Sequence, residues 1–121
     1  MIYGIFAGNV PLIQVTLAWS NSIKHYWLTL DTGFTGDLQV PKSFAQELGL
    51  KADSIEKFTI ANGQTVNVPQ ALAIASMEGE SNPIQVGISN GSPLAGISFL
   101  TKFGYKAIFD TKLRLVYLKK V

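Results

Sequence analysis

Hydrophobic side chains recur at every second position over much of this chain. From Ile13 to Trp19 the odd positions are Ile, Val, Leu and Trp, while the even ones are Gln, Thr and Ala. That is the alternation of a strand with one buried face. "SNS" at 20–22 is a turn signal, and Ile23 to Leu30 reads as the returning strand. The single histidine, His25, sits between Lys24 and Tyr26 in that run and reads as a strand-face residue. Leu38 to Val40 is a short strand stopped by Pro41. The period then changes. In "PKSFAQELGL" Phe44, Ala45 and Leu48 share a helical face, Ser43 is placed to cap the start, and Gly49 can take the left-handed stop. About two turns of helix are predicted there.

Alternation resumes with Phe58 and Ile60 before Asn62-Gly63, and Val66 and Val68 after it. Asn-Gly favours a two-residue type I′ turn, in which both residues take positive φ. A long hairpin is therefore predicted, its second arm running through Pro69 to Ala75. "MEGES" is another turn, Ile84 to Ile88 another strand, and "NGSP" at 90–93 a loop. "AGISFLTKFG" predicts a second short helix with Ile97, Leu100 and Phe103 facing inward. Two last strands, Lys106 to Phe109 and Leu113 to Leu118, join at Asp110-Thr111-Lys112. The sum is about eight strands and two short helices. Strands arranged in meanders predict an all-β barrel or sandwich rather than a parallel α/β sheet. Closing the sheet would hide the edges of such apolar strands.

Composition narrows the picture. At 121 residues the chain fits a single domain, residues 1–121, around one core. Apolar residues make up 47% and charged ones 15%, which predicts a folded chain whose charge-poor surface suits partial cover by a partner. A net charge of +2 and a scattered basic set (Lys112, Arg114, Lys119, Lys120) argue against nucleic acid as partner. The absence of cysteine excludes disulfides, thiolate zinc sites and thiol catalysis. No apolar run is long enough to enter and span a bilayer, and the first twenty residues carry no positive charge and are interrupted by Asn9, Pro11 and Gln14. The cytoplasm is the expected compartment.

The candidate chemistry lies in "WLTLDTGFTGDLQVP", residues 27–41. Asp31 ends a strand that reads as buried, so its carboxyl must be paired, hydrogen-bonded or neutral. Gly33 and Gly36 let the backbone turn sharply and leave room beside the carboxyl. Thr32 adds a hydroxyl that can fix the loop. On Asp31-Thr32-Gly33 alone two readings stand: a general acid/base, or an Asx-type turn between two strands.

The longer string "LDTGFTGDLQVP", with an apolar strand before it and a strand and helix after it, resembles the catalytic loop of retropepsin-like aspartic proteases, in particular the DTGF subgroup of single-domain prokaryotic members. "TIANGQTVNVP" resembles their flap, and "PLAGISFLTKFGYKAIFDTKLRLVYL", with Leu94-Ala95-Gly96 ahead of its helix, their C-terminal part. The resemblance spans roughly residues 27–118. It implies a closed retropepsin-like acid-protease barrel and an aspartic endopeptidase. By the same resemblance Asp31 is catalytic, Thr32 and Gly33 support the loop, and Gly33, Phe34, Thr35, Ala61, Asn62 and Gly63 bind substrate, with Gly96 structural. The chain departs from the pattern at Phe34, where many relatives carry Ala or Ser, and at Ser98, where Asp is common.

Such chemistry needs two adjacent carboxyls sharing one proton. Of Asp31, Asp37, Asp53 and Asp110, only Asp31 lies in a DTG; Asp110-Thr111 is followed by Lys112 and reads as a hairpin turn. The second carboxyl is therefore expected from another copy, a homodimer with Asp31 and its mate on a two-fold axis. The apolar terminal segments, Ile2 to Phe6 and Leu113 to Val121, are expected to pair at that interface. The expected substrate is an extended peptide with apolar side chains flanking the scissile bond, and neither metal nor other cofactor is required. The alternative is a catalytically inactive module of the same fold that binds peptide or dimerises.

Overall fold

The computed structural model describes residues 1–121. The first period-two stretch forms β3 (Val10–Trp19) and β4 (Ser22–Leu30), paired antiparallel from Leu12 opposite Thr29 to Trp19 opposite Ser22. Their inward positions, Ile13, Val15, Leu17 and Leu28, are fully buried. Ahead of them lie β1 (Ile2–Tyr3) and β2 (Ile5–Ala7). After them come β5 (Leu38–Val40), α1 (Lys42–Leu48), β6 (Ser54–Thr59), β7 (Thr65–Met77) and β8 (Glu80–Ile88). The chain closes with β9 (Leu94–Ala95), α2 (Ile97–Phe103), β10 (Tyr105–Asp110) and β11 (Leu115–Lys120).

The fold is all-β with two short helices. An eight-stranded sheet runs β2-β3-β4-β9-β5-β8-β7-β6, and β3 pairs a second time with β7, Thr16 opposite Ser76 and Ala18 opposite Ile74. A three-stranded sheet, β1-β11-β10, packs beside it. One cluster of 24 buried residues forms the core. No helix is long and apolar enough to cross a membrane.

Eleven strands form rather than about eight. The extra ones, β1, β2 and β9, are two or three residues long, too short to show a period. Three local expectations are corrected. Helix α1 starts on Pro41, whose carbonyl accepts from the N–H groups of Phe44 and Ala45, and no side chain caps it; Ser43 is already inside the first turn. Gly49 does take the left-handed stop, at φ 71°. At Asn62-Gly63 only Gly63 has positive φ, 84°. The Ile60 N–H donates to Gln64 O and the Gly63 N–H to Ile60 O, making a three-residue loop ending in a left-handed glycine rather than a type I′ turn. In α2 the fully buried side chain is Phe99, while Ile97 is 41% exposed; Leu100 and Phe103 face inward. The terminal segments pair within one chain, Ile2 opposite Leu118 and Tyr3 opposite Tyr117.

Candidate active site

The end of β4 is clamped by the segment that carries β9. The Thr29 N–H donates to Pro93 O and the Asp31 N–H to Ala95 O, both at 2.9 Å. Beyond it the chain turns at once: the Phe34 N–H donates to Asp31 O at 3.1 Å and the Gly33 N–H to Asp31 Oδ1 at 2.9 Å. Asp31 is thus half-buried on a rigid turn, and its Oδ2 takes no hydrogen bond from within the chain. The far side of the loop is fixed by the start of α2. The Gly96 N–H donates to Asp37 O and the Ile97 N–H to Phe34 O, both at 2.9 Å. A Cβ at Gly96 would lie 2.4 Å from Gly36 O and 2.5 Å from Phe34 O, so no larger residue fits under the loop. At Gly36 a Cβ would lie 2.6 Å from the Phe34 ring, which folds over it.

A groove of about 620 Å³ opens beside this turn. Asp31, Gly33, Phe34 and Thr35 line it from the loop, and Phe58, Ile60 and Ala61 from the β6–β7 hairpin. The Phe34 and Phe58 ring centroids are 5.7 Å apart, joining loop to hairpin. Three other residues singled out in the sequence do not line the groove. Thr32 is exposed next to Asp31, while Asn62 and Gly63 form the hairpin tip, where Asn62 Oδ1 accepts the Gln64 N–H at 2.9 Å.

Asp37 has a setting its sequence position did not disclose. It is 6% exposed, and its Oδ2 accepts from Lys102 Nζ at 2.5 Å and from the Gln85 N–H at 2.9 Å. The signal available was an acid between Gly36 and the apolar run of β5, in a chain with few acids. Its partner, 65 residues away on α2, carries no local signal. Glu56 and Phe58 on β6 were likewise not singled out as wall residues. No group of three or more His, Cys, Asp or Glu side chains stands close enough to hold a metal ion.

No family model matches the chain, and neither does any curated protein. Among solved structures it is similar to a retropepsin-like aspartic protease from Rickettsia conorii, at 18% identity and a TM-score of 0.64, over 99% of this chain and 89% of that one. It is also similar to the EIAV protease complexed with the inhibitor HBY-793, at 15% identity and a TM-score of 0.59, over 85% of this chain and 96% of that one. The chain has a retropepsin-like fold.

Proposed function

We propose that the chain is an aspartic endopeptidase acting as a homodimer, each copy giving Asp31 to a shared dyad. One observation carries the reading: on a retropepsin-like fold, a half-buried aspartate with a free oxygen lines a groove beneath a hairpin. The strand pairings that lead from β3 around to β7 and back to β3 suit a closed barrel that holds this turn rigid. Two Asp31 carboxyls meeting across a two-fold axis share one proton, because two like charges at that distance resist joint ionisation. The ionised member takes a proton from water as the water oxygen attacks the peptide carbonyl. The protonated member gives its proton to the carbonyl oxygen. Collapse of the tetrahedral diol breaks the C–N bond as the carboxyl that took the water's proton gives it to the nitrogen, and the other carboxylate takes back a proton from a diol hydroxyl, so that the pair again holds one proton. The titration belongs to the pair, not to either residue.

In this reading Thr32, exposed beside Asp31, bonds across the axis. Gly33, Phe34 and Thr35 meet an extended peptide, and Ala61, Asn62 and Gly63 cover it. A second reading, an inactive peptide-binding or dimerisation module, draws on the Gly33 N–H to Asp31 Oδ1 bond, which gives the carboxyl a purely structural use. The deciding experiment is light scattering and peptide-library digestion of wild type and Asp31→Asn across acidic to neutral pH. A dimer in both with cleavage only in wild type supports the shared dyad. A dimer that never cleaves supports the module, and a cleaving monomer overturns the two-chain mechanism.

A further inference from the structure

Beside the groove lies a second cavity, of about 240 Å³, with different chemistry. Phe34, Thr35, Glu56 and Phe58 line both, so the two spaces adjoin. The remaining walls of the second include Asp37, Gln70, Gln85 and Lys102. Asp37 is 6% exposed, and while its Oδ2 holds Lys102 and the Gln85 N–H, its buried Oδ1 has no hydrogen-bond partner. Folded chains seldom leave a buried carboxylate oxygen without a donor. Gln70, 4% exposed, does not supply one: its amide N–H reaches back to Val68 O at 3.4 Å. Glu56 adds a second carboxylate on the wall, so Asp37 and Glu56 against Lys102 leave the cavity with one net negative charge.

We propose that this cavity is a specificity pocket for a lysine or arginine side chain of the substrate peptide, close to the scissile bond. The assignment rests on the peptide-groove reading above and changes one of the flanking side chains from apolar to basic. A guest ammonium or guanidinium donates to the Glu56 carboxylate and to Asp37 Oδ1, which a turn about the soft terminal torsion of the carboxylate brings out of its buried position, the flexible Lys102 stem following Oδ2 while the Gln85 N–H bond is given up. The aliphatic stem packs against Phe34 and Phe58, as long cationic side chains do on apolar surface. An apolar guest would leave Oδ1 orphaned and strip water from Glu56.

The test uses binding as well as cleavage. Fluorescent peptides identical except at one position, scanned across the scissile bond, carry lysine, arginine, norleucine or glutamate there. They are titrated against Asp31→Asn and digested with wild type. In one register lysine and arginine are expected to bind about tenfold tighter than norleucine, the scale of a charge-assisted contact. Asp37→Asn and Glu56→Gln should each shrink that ratio, and Glu56, exposed on β6, can be changed without disturbing the core. Norleucine binding as well as lysine in every register overturns the pocket, as does a lysine preference untouched by both substitutions. Equal cleavage of both peptides by wild type overturns the pocket and leaves the protease standing. Lysine preference in binding with no cleavage by wild type supports the pocket and overturns the protease, and neither binding nor cleavage of any peptide overturns both.

Discussion

Gly96 holds the Asp31 loop by having no side chain. The two oxygens that a Cβ there would strike, Gly36 O at 2.4 Å and Phe34 O at 2.5 Å, belong to backbone that cannot swing aside. Gly96→Ala is therefore expected to cost about 1–3 kcal/mol in urea unfolding, as overpacking does, and to lower cleavage by displacing Asp31. Tyr105 shows a different residue-scale effect. Burial raises its phenol pKa first, and the hydrogen bond from its hydroxyl to Glu78 Oε1, 2.7 Å long, raises it further. A folded-state pKa raised above the unfolded value of about 10 means stability that is whole below that pH and drains away as pH rises toward the folded value. Chemical unfolding from pH 9 to 11 should show that decline, and Tyr105→Phe should lessen it, the remainder coming from Tyr26, whose phenol pKa burial also raises. At this scale Asp31 was legible in the sequence because its signal is local: an apolar strand, an acid and two glycines within six residues. The Asp37–Lys102 pair was not, because nothing near Asp37 specifies a helix 65 residues on. Lys102→Met should cost about 2 kcal/mol in the same urea assay, since it strips a charge-assisted bond from a buried carboxylate.

Among elements, the β6–β7 hairpin shows where sequence reading succeeds and where it stops. Its position was legible from alternation around Asn62-Gly63, but its turn type was not. Asn-Gly allows a type I′ turn, yet the bonds between Ile60 and Gln64 close a longer loop in which Gly63 alone takes positive φ. Helix α2 teaches the same lesson. Its existence followed from the spacing of apolar residues, but its phase is fixed by the Gly96 and Ile97 N–H groups bonded to the loop, which turns Phe99 inward and Ile97 out. Such constraints come from segments far off in sequence. Because β6 is an edge strand with most side chains exposed, the hairpin tip should respond locally. Gly63→Ala places a Cβ at φ 84°, a strain of about 1–2 kcal/mol. The expected result is a fall in Tm of a few degrees with a several-fold fall in kcat/KM, since in the proposed function the tip closes over peptide. Equal losses in both would mean that the tip serves the fold and not the substrate.

For the whole molecule, the proposed dyad raises the question of how a second Asp31 would be brought up. Removing residues 114–121 cannot answer it. Strand β11 lies between β1 and β10, and its Val116 and Leu118 are fully buried, so the truncation removes a middle strand and is expected to unfold the chain. The opposite face of the same sheet offers a cleaner test. Tyr3 is 66% exposed, Leu115 is 41% exposed, and Tyr117 lies between them, its ring 5.8 Å from that of Tyr3. By the period of two, this face points away from the buried Val116 and Leu118. An apolar, aromatic face on a charge-poor chain suits a second copy, as the proposed dyad requires, and a two-fold axis would set each patch against its twin. Tyr3→Lys with Leu115→Lys puts four like charges into that contact while leaving the core untouched, so the stability of the single chain should shift by no more than about 0.5 kcal/mol per substitution. Light scattering should then find a monomer, and the monomer should not cleave. An active dimer would place the interface on another face; a folded monomer that still cleaves would mean that a single Asp31 suffices, and the shared dyad would fall with it.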